Sequence, residues 1–252
     1  MLRCLGCDLR RIFMSRSIWA YLALSVFLPL ILSVDGFPSE GDAAAYLIRL
    51  FVIPGSLFCA VFTALFTGRS VSDKTLKNRI ATGTKRSSLY IAELLSTIIF
   101  MICCFMIYTG VVLIICGAGN KEEILLSVLV ILLWLLLFCV LYVFINIYFT
   151  MNLFAVFLSL VFVFALYSCG MDLDTRLSEP QYIEAELKTE NPRYISGFQR
   201  EVFAFLLDSN PYGLLNYESG RSVIINTAEL TLPLTFITAL VGTAAFCRKE
   251  LD

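Results

Sequence analysis

Apolar residues in this chain gather into long runs and do not alternate with polar ones. The runs are roughly 17 to 28 residues long, enough to cross a ~30 Å hydrocarbon core as helices. Six spans are predicted: 18–34, 46–67, 89–116, 122–149, 153–169 and 228–246. Ahead of them Leu2, Leu5, Leu9, Ile12 and Phe13 recur at helical spacing among Arg3, Arg10, Arg11 and Arg16. That pattern predicts a basic amphipathic helix over residues 1–17, lying in the membrane interface. A signal peptide is the alternative reading of this start. The region near Val34 lacks small residues at both cleavage positions, and the apolar run is long for a signal, so a retained span is preferred. Pro54-Gly55-Ser56 should kink or split the second span.

Two polar segments break the apolar pattern. Residues 68–88 carry Arg69, Lys74, Lys77, Arg79, Lys85 and Arg86 against one acid, Asp73, and cannot lie in hydrocarbon. Residues 170–227 begin acidic, with Asp172, Asp174, Glu179, Glu184, Glu186 and Glu190. They continue through an apolar piece, Val202 to Leu207, and the turn Pro211-Tyr212-Gly213. A piece that short is re-entrant or interfacial more often than spanning. The expected fold is therefore one all-α integral membrane domain over residues 1–252. Six transmembrane helices follow an interfacial helix, and short re-entrant helices lie in the long loop between spans five and six.

Composition agrees. Hydrophobic residues make up 59% and charged residues 15%, where soluble domains carry about 25% charged. Mean hydropathy is +0.83. The net charge of −1 hides a lopsided distribution. With six spans, both termini share a side with the 68–88 loop, and that side holds the N-terminal arginines, the loop cations, Arg248 and Lys249. The opposite side holds Arg49, Lys121, Arg176, Lys188, Arg193, Arg200 and Arg221, mostly in one long loop, together with most of the acids. Cation bias places both termini and loop 68–88 in the cytoplasm and loop 170–227 outside.

Candidate chemistry is sparse. There is no histidine, and Cys4 and Cys7 form a single CxxC without a second pair, too few ligands for zinc. Seven other cysteines lie in or beside apolar runs as small hydrophobes. No Gly-Lys dipeptide occurs, so the phosphate-cradling loop of P-loop ATPases is absent, and neither HExxH nor GxSxG occurs. The spans lack the buried charge clusters of ion-coupled transporters. Asn146, Tyr148, Thr150 and Asn152 gather at one turn, where they should satisfy one another or a neighbouring helix. Glu93 stands one turn inside the third span, near Lys85 and Arg86. It reads either as a snorkelling surface acid stabilised by the helix dipole or as a salt-bridge partner coupling the 68–88 loop to the spans. No cofactor is expected on this chain, and no nucleic-acid partner.

A basic loop reading Asp73-Lys74-Thr75-Leu76-Lys77-Asn78-Arg79-Ile80-Ala81-Thr82-Gly83, then Lys85-Arg86-Ser87 and Leu89-Tyr90-Ile91-Ala92, resembles that of the permease subunits of bacterial type-2 ABC exporters. The likeness is to the small six-span permeases of drug and antimicrobial-peptide (lantibiotic-type) export or immunity. Where those proteins often carry a lysine just inside the third span, this chain has Glu93. The resemblance implies a plasma-membrane permease pair, two alike or two different, with separate ATPase subunits that bind ATP and Mg. The ATPase would grip Asp73, Lys74, Lys77, Asn78, Arg79, Thr82, Gly83, Lys85 and Arg86. It also implies an extracellular gate that includes Phe203, Phe205, Leu206, Pro211, Tyr212 and Gly213. On that reading the chain is not itself an enzyme, and it moves a peptide, drug or lipid-like cargo. A different class of reading is a non-transporting sensor or immunity protein that binds an extracellular peptide through its acidic outer loop.

Overall fold

The structure is a computed structural model. It describes residues 2–33, 43–68, 70, 75–117, 119–149, 152–184, 189–191, 194–213 and 221–248. Arg69, Asp73 and Lys74 of the basic loop, the tight turn at Thr150 and Met151, and Glu186, Lys188, Pro192, Arg193 and Lys249 lie outside the described residues.

The described chain is almost wholly helical. In order come α1 (Leu2–Met14), α2 (Arg16–Leu32), α3 (Ala43–Leu50), α4 (Val52–Thr63) with a π-helical turn at Ala64–Gly68, α5 (Thr75–Ala81), α6 (Arg86–Cys116), α7 (Lys121–Tyr148) and α8 (Asn152–Ser178). A small antiparallel pair, β1 (Tyr182–Glu184) and β2 (Thr189–Glu190), precedes α9 (Phe198–Asp208) and α10 (Arg221–Arg248). Among the described residues the hairpin is the one small addition to the expected all-α fold. It is too short for period-two alternation to register in the sequence.

Five helices, or helix pairs joined end to end, are long and apolar enough to cross a membrane: Ala43–Gly68, Arg86–Cys116, Lys121–Tyr148, Val156–Ser178 and Val223–Arg248. This is the make-up of a multi-pass membrane protein. The expected first span, 18–34, corresponds to α2, which has 17 residues and meets α1 at a 72° bend, so the two make a bent pair that would be a sixth span if counted as one.

Several boundaries move from their expected places. The second and third spans start earlier, at Ala43 and Arg86. The break in the second span falls at Phe51, upstream of the Pro-Gly-Ser triplet. Pro54 has no N–H and its ring clashes with the carbonyl four residues back, which puts the lesion at Leu50. Gly55 then lets the Phe51 ring lie against its backbone, where a Cβ would stand 2.6 Å from Cε1. The fifth span does not end at Cys169. Helix α8 runs on to Ser178, with Asp172 and Arg176 bridged at 2.9 Å across one turn. The segment between the last two spans therefore shrinks from 170–227 to 179–220.

Helix α7 stands at the centre, packed against α3, α4, α6, α8 and α10. The second span is 67% buried over its apolar window, against 22% for α8 and 17% for α10, so the peripheral helices present most of their surface outward. One large core joins Phe51, Phe100, Phe105, Tyr108, Trp134 and Phe138. A second, smaller core at the α1 end joins Leu76, Leu89, Tyr90, Val143, Ile147 and Phe246. Asn146 is buried and donates to Thr63 Oγ1 at 3.1 Å and to the Tyr142 carbonyl at 2.9 Å, so its partner across helices is α4.

Candidate functional site

The second core fixes the short helix α5. Leu76 is its buried anchor, and the Thr75 hydroxyl donates to the Ser70 carbonyl at 2.8 Å. The helix closes with a Schellman motif: Gly83 N–H bonds to Ile80 O at 2.9 Å and Thr84 N–H to Arg79 O at 3.2 Å. Gly83 has φ +90°, a conformation open to glycine at no Cβ cost. Around that anchor Lys77, Asn78, Ala81, Thr82, Gly83 and Lys85 face outward. Arg79 and Arg86 do not. Arg86 donates to the Cys247 carbonyl at 3.2 Å, clasping the end of α10, and Arg79 turns inward.

What Arg79 meets was not singled out in the sequence. Asp8 of α1 is fully buried, and its Oδ1 accepts from Arg79 Nη1 at 2.7 Å. The same oxygen lies 3.8 Å from Arg11 Nη2. Arg11 in turn donates to Glu93 Oε1 at 3.1 Å, with its guanidinium 3.9 Å over the Phe66 ring. Glu93 is fully buried, and Thr67 Oγ1 of the π-helical turn donates to its other oxygen at 3.4 Å. Two acids and two arginines thus form a neutral cluster joining α1, the end of the second span, α5 and α6. Burial lowers the affinity of Arg79 for its proton, but the bond to Asp8 outweighs it and holds the guanidinium firmly charged.

Glu93 is therefore not a snorkelling surface acid, and its partner is Arg11 of the N-terminal helix, not Lys85 or Arg86. Its depth follows from helix length. The 31 residues of α6 extend about 46 Å, about 16 Å beyond a ~30 Å hydrocarbon core. Glu93 lies seven residues, about 10 Å, from the helix start, so with the excess shared between both ends it sits at the hydrocarbon edge. Protein, not lipid, buries it.

The residues expected to form a gate sit at the far end. Phe203, Phe205 and Leu206 lie on α9, whose Leu207 is buried while Leu206 is 39% exposed. Helix α9 packs on α8 and α10. Asn210 donates to the Leu166 carbonyl at 3.1 Å and accepts from Tyr212 N–H at 2.8 Å. Pro211 and Gly213 are buried, and Tyr212 meets the Tyr167 ring edge-on. Gly170 makes this approach possible, because a Cβ there would stand 2.5 Å from that of Tyr212. Asp208 accepts from Asn226 at 3.3 Å; burial raises its carboxyl above the usual range, and the Asn226 bond opposes part of that rise. The segment from α9 through the Asn210–Gly213 turn is thus seated on the C-terminal half of α8.

Among the described residues no three metal-ligating side chains converge. Models of known protein families and curated proteins give no match to this chain. Function has to be argued from the geometry and the sequence pattern.

Proposed function

We propose that this chain is the membrane subunit of an ATP-driven exporter of the type-2 ABC kind, with α5 as the handle gripped by a separate ATPase. The observation that carries the reading is the two-sided character of α5. Its outer side offers Lys77, Asn78, Thr82 and Lys85. Its inner side is tied by Leu76 and by the Arg79–Asp8–Arg11–Glu93 cluster to α1 and α6. A push on the outer side would be delivered to the spans with little slack. On this reading both termini and α5 face the bacterial cytoplasm, and ATP and Mg bind the partner. A second permease subunit completes the path, and α9 with the Asn210–Gly213 turn forms the outer gate.

Co-purification in detergent with the products of neighbouring genes, followed by an ATPase assay, tests the proposal. A stable complex that hydrolyses ATP is expected. A chain that purifies alone, with no ATPase encoded nearby, would overturn it and favour the peptide-binding sensor. Lys77→Glu combined with Lys85→Glu should abolish stimulation of the ATPase while leaving the helical content of the chain unchanged. Arg79 is unsuitable for that experiment because its loss also strands Asp8.

A further inference from the structure

We propose that the elbow between α1 and α2 binds the headgroup of an anionic phospholipid in the adjacent leaflet. The two helices meet at 72°, and Arg10 and Arg16 stand exposed on either side of the bend. Neither has an ion-pair partner among the described residues. The acid nearest in sequence, Asp8, is buried in the charge cluster and cannot neutralise them. Large apolar side chains surround these two cations. Phe13 is 55% exposed, Met14 73% and Trp19 68%. Spacing of three and four residues puts Phe13 and Met14 beside Arg10, and a spacing of three puts Trp19 beside Arg16. From Trp19 the exposed face continues through Val26, Phe27, Leu30 and Ile31, an apolar track for an acyl chain.

At the bend itself, Ser15 precedes α2 in extended conformation without capping it, and with Ser17 it lines a surface cavity floored by Tyr21 and Phe66. Two exposed guanidiniums flanking the bend, followed along α2 by an exposed indole and an apolar track, match a negatively charged headgroup and its acyl chains. A zwitterionic headgroup brings its own cation and offers no net compensation. Lys/Arg side chains near a charged leaflet favour anionic lipid by about fivefold each.

The test uses the full-length chain in lipid nanodiscs. The protein has two tryptophans, and the second, Trp134, is buried in the large core. Subtracting the signal of a Trp19→Phe variant isolates Trp19. Phosphatidylglycerol brominated on its acyl chains should quench Trp19 more strongly than brominated phosphatidylcholine at equal mole fraction. The preference should fade at high salt and vanish in an Arg10→Gln/Arg16→Gln variant of unchanged helical content. Arg10→Lys/Arg16→Lys should retain it. Equal quenching by the two lipids would overturn the proposal, as would a preference that survives the glutamine variant. Absence of quenching by either lipid would also overturn it, by showing Trp19 out of reach of the acyl chains.

Discussion

The charge cluster makes an asymmetric prediction for Arg11 and Glu93. Replacing Arg11 with Met keeps a flexible apolar contact on Phe66 but leaves a fully buried carboxylate without its ion-pair partner, beside the hydroxyls of Thr67 and Ser70. Removing one partner of a buried pair costs about 3–5 kcal/mol, because the remaining charge is uncompensated. Replacing Glu93 with Gln is gentler. Arg11 keeps 32% of its side chain exposed and has Asp8 at 3.8 Å, and the amide can still accept its hydrogen bond. The cost there should be about 1–2 kcal/mol, that of one charge-assisted bond made neutral. In the double variant the stranded charge is gone, so its cost should lie near that of Glu93→Gln alone, short of additivity by the Arg11→Met cost of about 3–5 kcal/mol. Mixed-micelle unfolding titrations followed by far-ultraviolet circular dichroism measure all three. Strict additivity, or a Glu93→Gln variant weaker than Arg11→Met, would refute the account of a buried anion held by one arginine.

Three further outcomes follow from the two ends of the molecule. The paired Lys77→Glu and Lys85→Glu changes should separate coupling from folding, read as lost ATPase stimulation at unchanged unfolding midpoint. Gly170→Leu should lift the Asn210–Gly213 turn off α8 at a cost of about 1–3 kcal/mol, seen as faster proteolysis within residues 194–213. Asp208 has its folded carboxyl raised by burial, so the folded chain holds that proton more tightly than the unfolded one. Its contribution is therefore greatest at low pH and is lost as pH rises through the acid range toward the raised value. Asp208→Asn should remove that part of the pH dependence, and an unchanged profile would show that the side chain does not sense the α9–α10 contact.

The spans and the polar loop were legible because hydrocarbon imposes an almost binary pattern on sequence. What that pattern marks is the membrane edge, and helices need not stop there. Helix α8 continues past Cys169, where Asp172 and Arg176 pair across one turn, a stretch that a hydropathy reading scores as loop. Glu93 could be noticed, since one acid among apolar residues is conspicuous. Its partner could not be, because Arg11 is 82 positions away and looks like any other cation of a basic helix. Asp8 was hidden for the same reason: within four arginines and a row of leucines it reads as incidental. The resemblance assigns Arg79 and Arg86 to an ATPase contact, yet they are turned to a carboxylate and a helix end. Sequence gives the sign of a charge, and only folding gives its address.

The length of α6 has a mechanical consequence. It runs unbroken from Arg86, beside α5, to Cys116 at the far end, with no proline in its length to absorb motion. A stiff rod about 46 Å long, rocked by about 5° at the end that carries Glu93, would sweep its other end through about 4 Å. That is close to the distance between neighbouring side chains on a helix surface. A small displacement at the α5 end would therefore reach the opposite ends of the spans as whole steps of packing, with Glu93 and its salt bridge to Arg11 set close to the pivot.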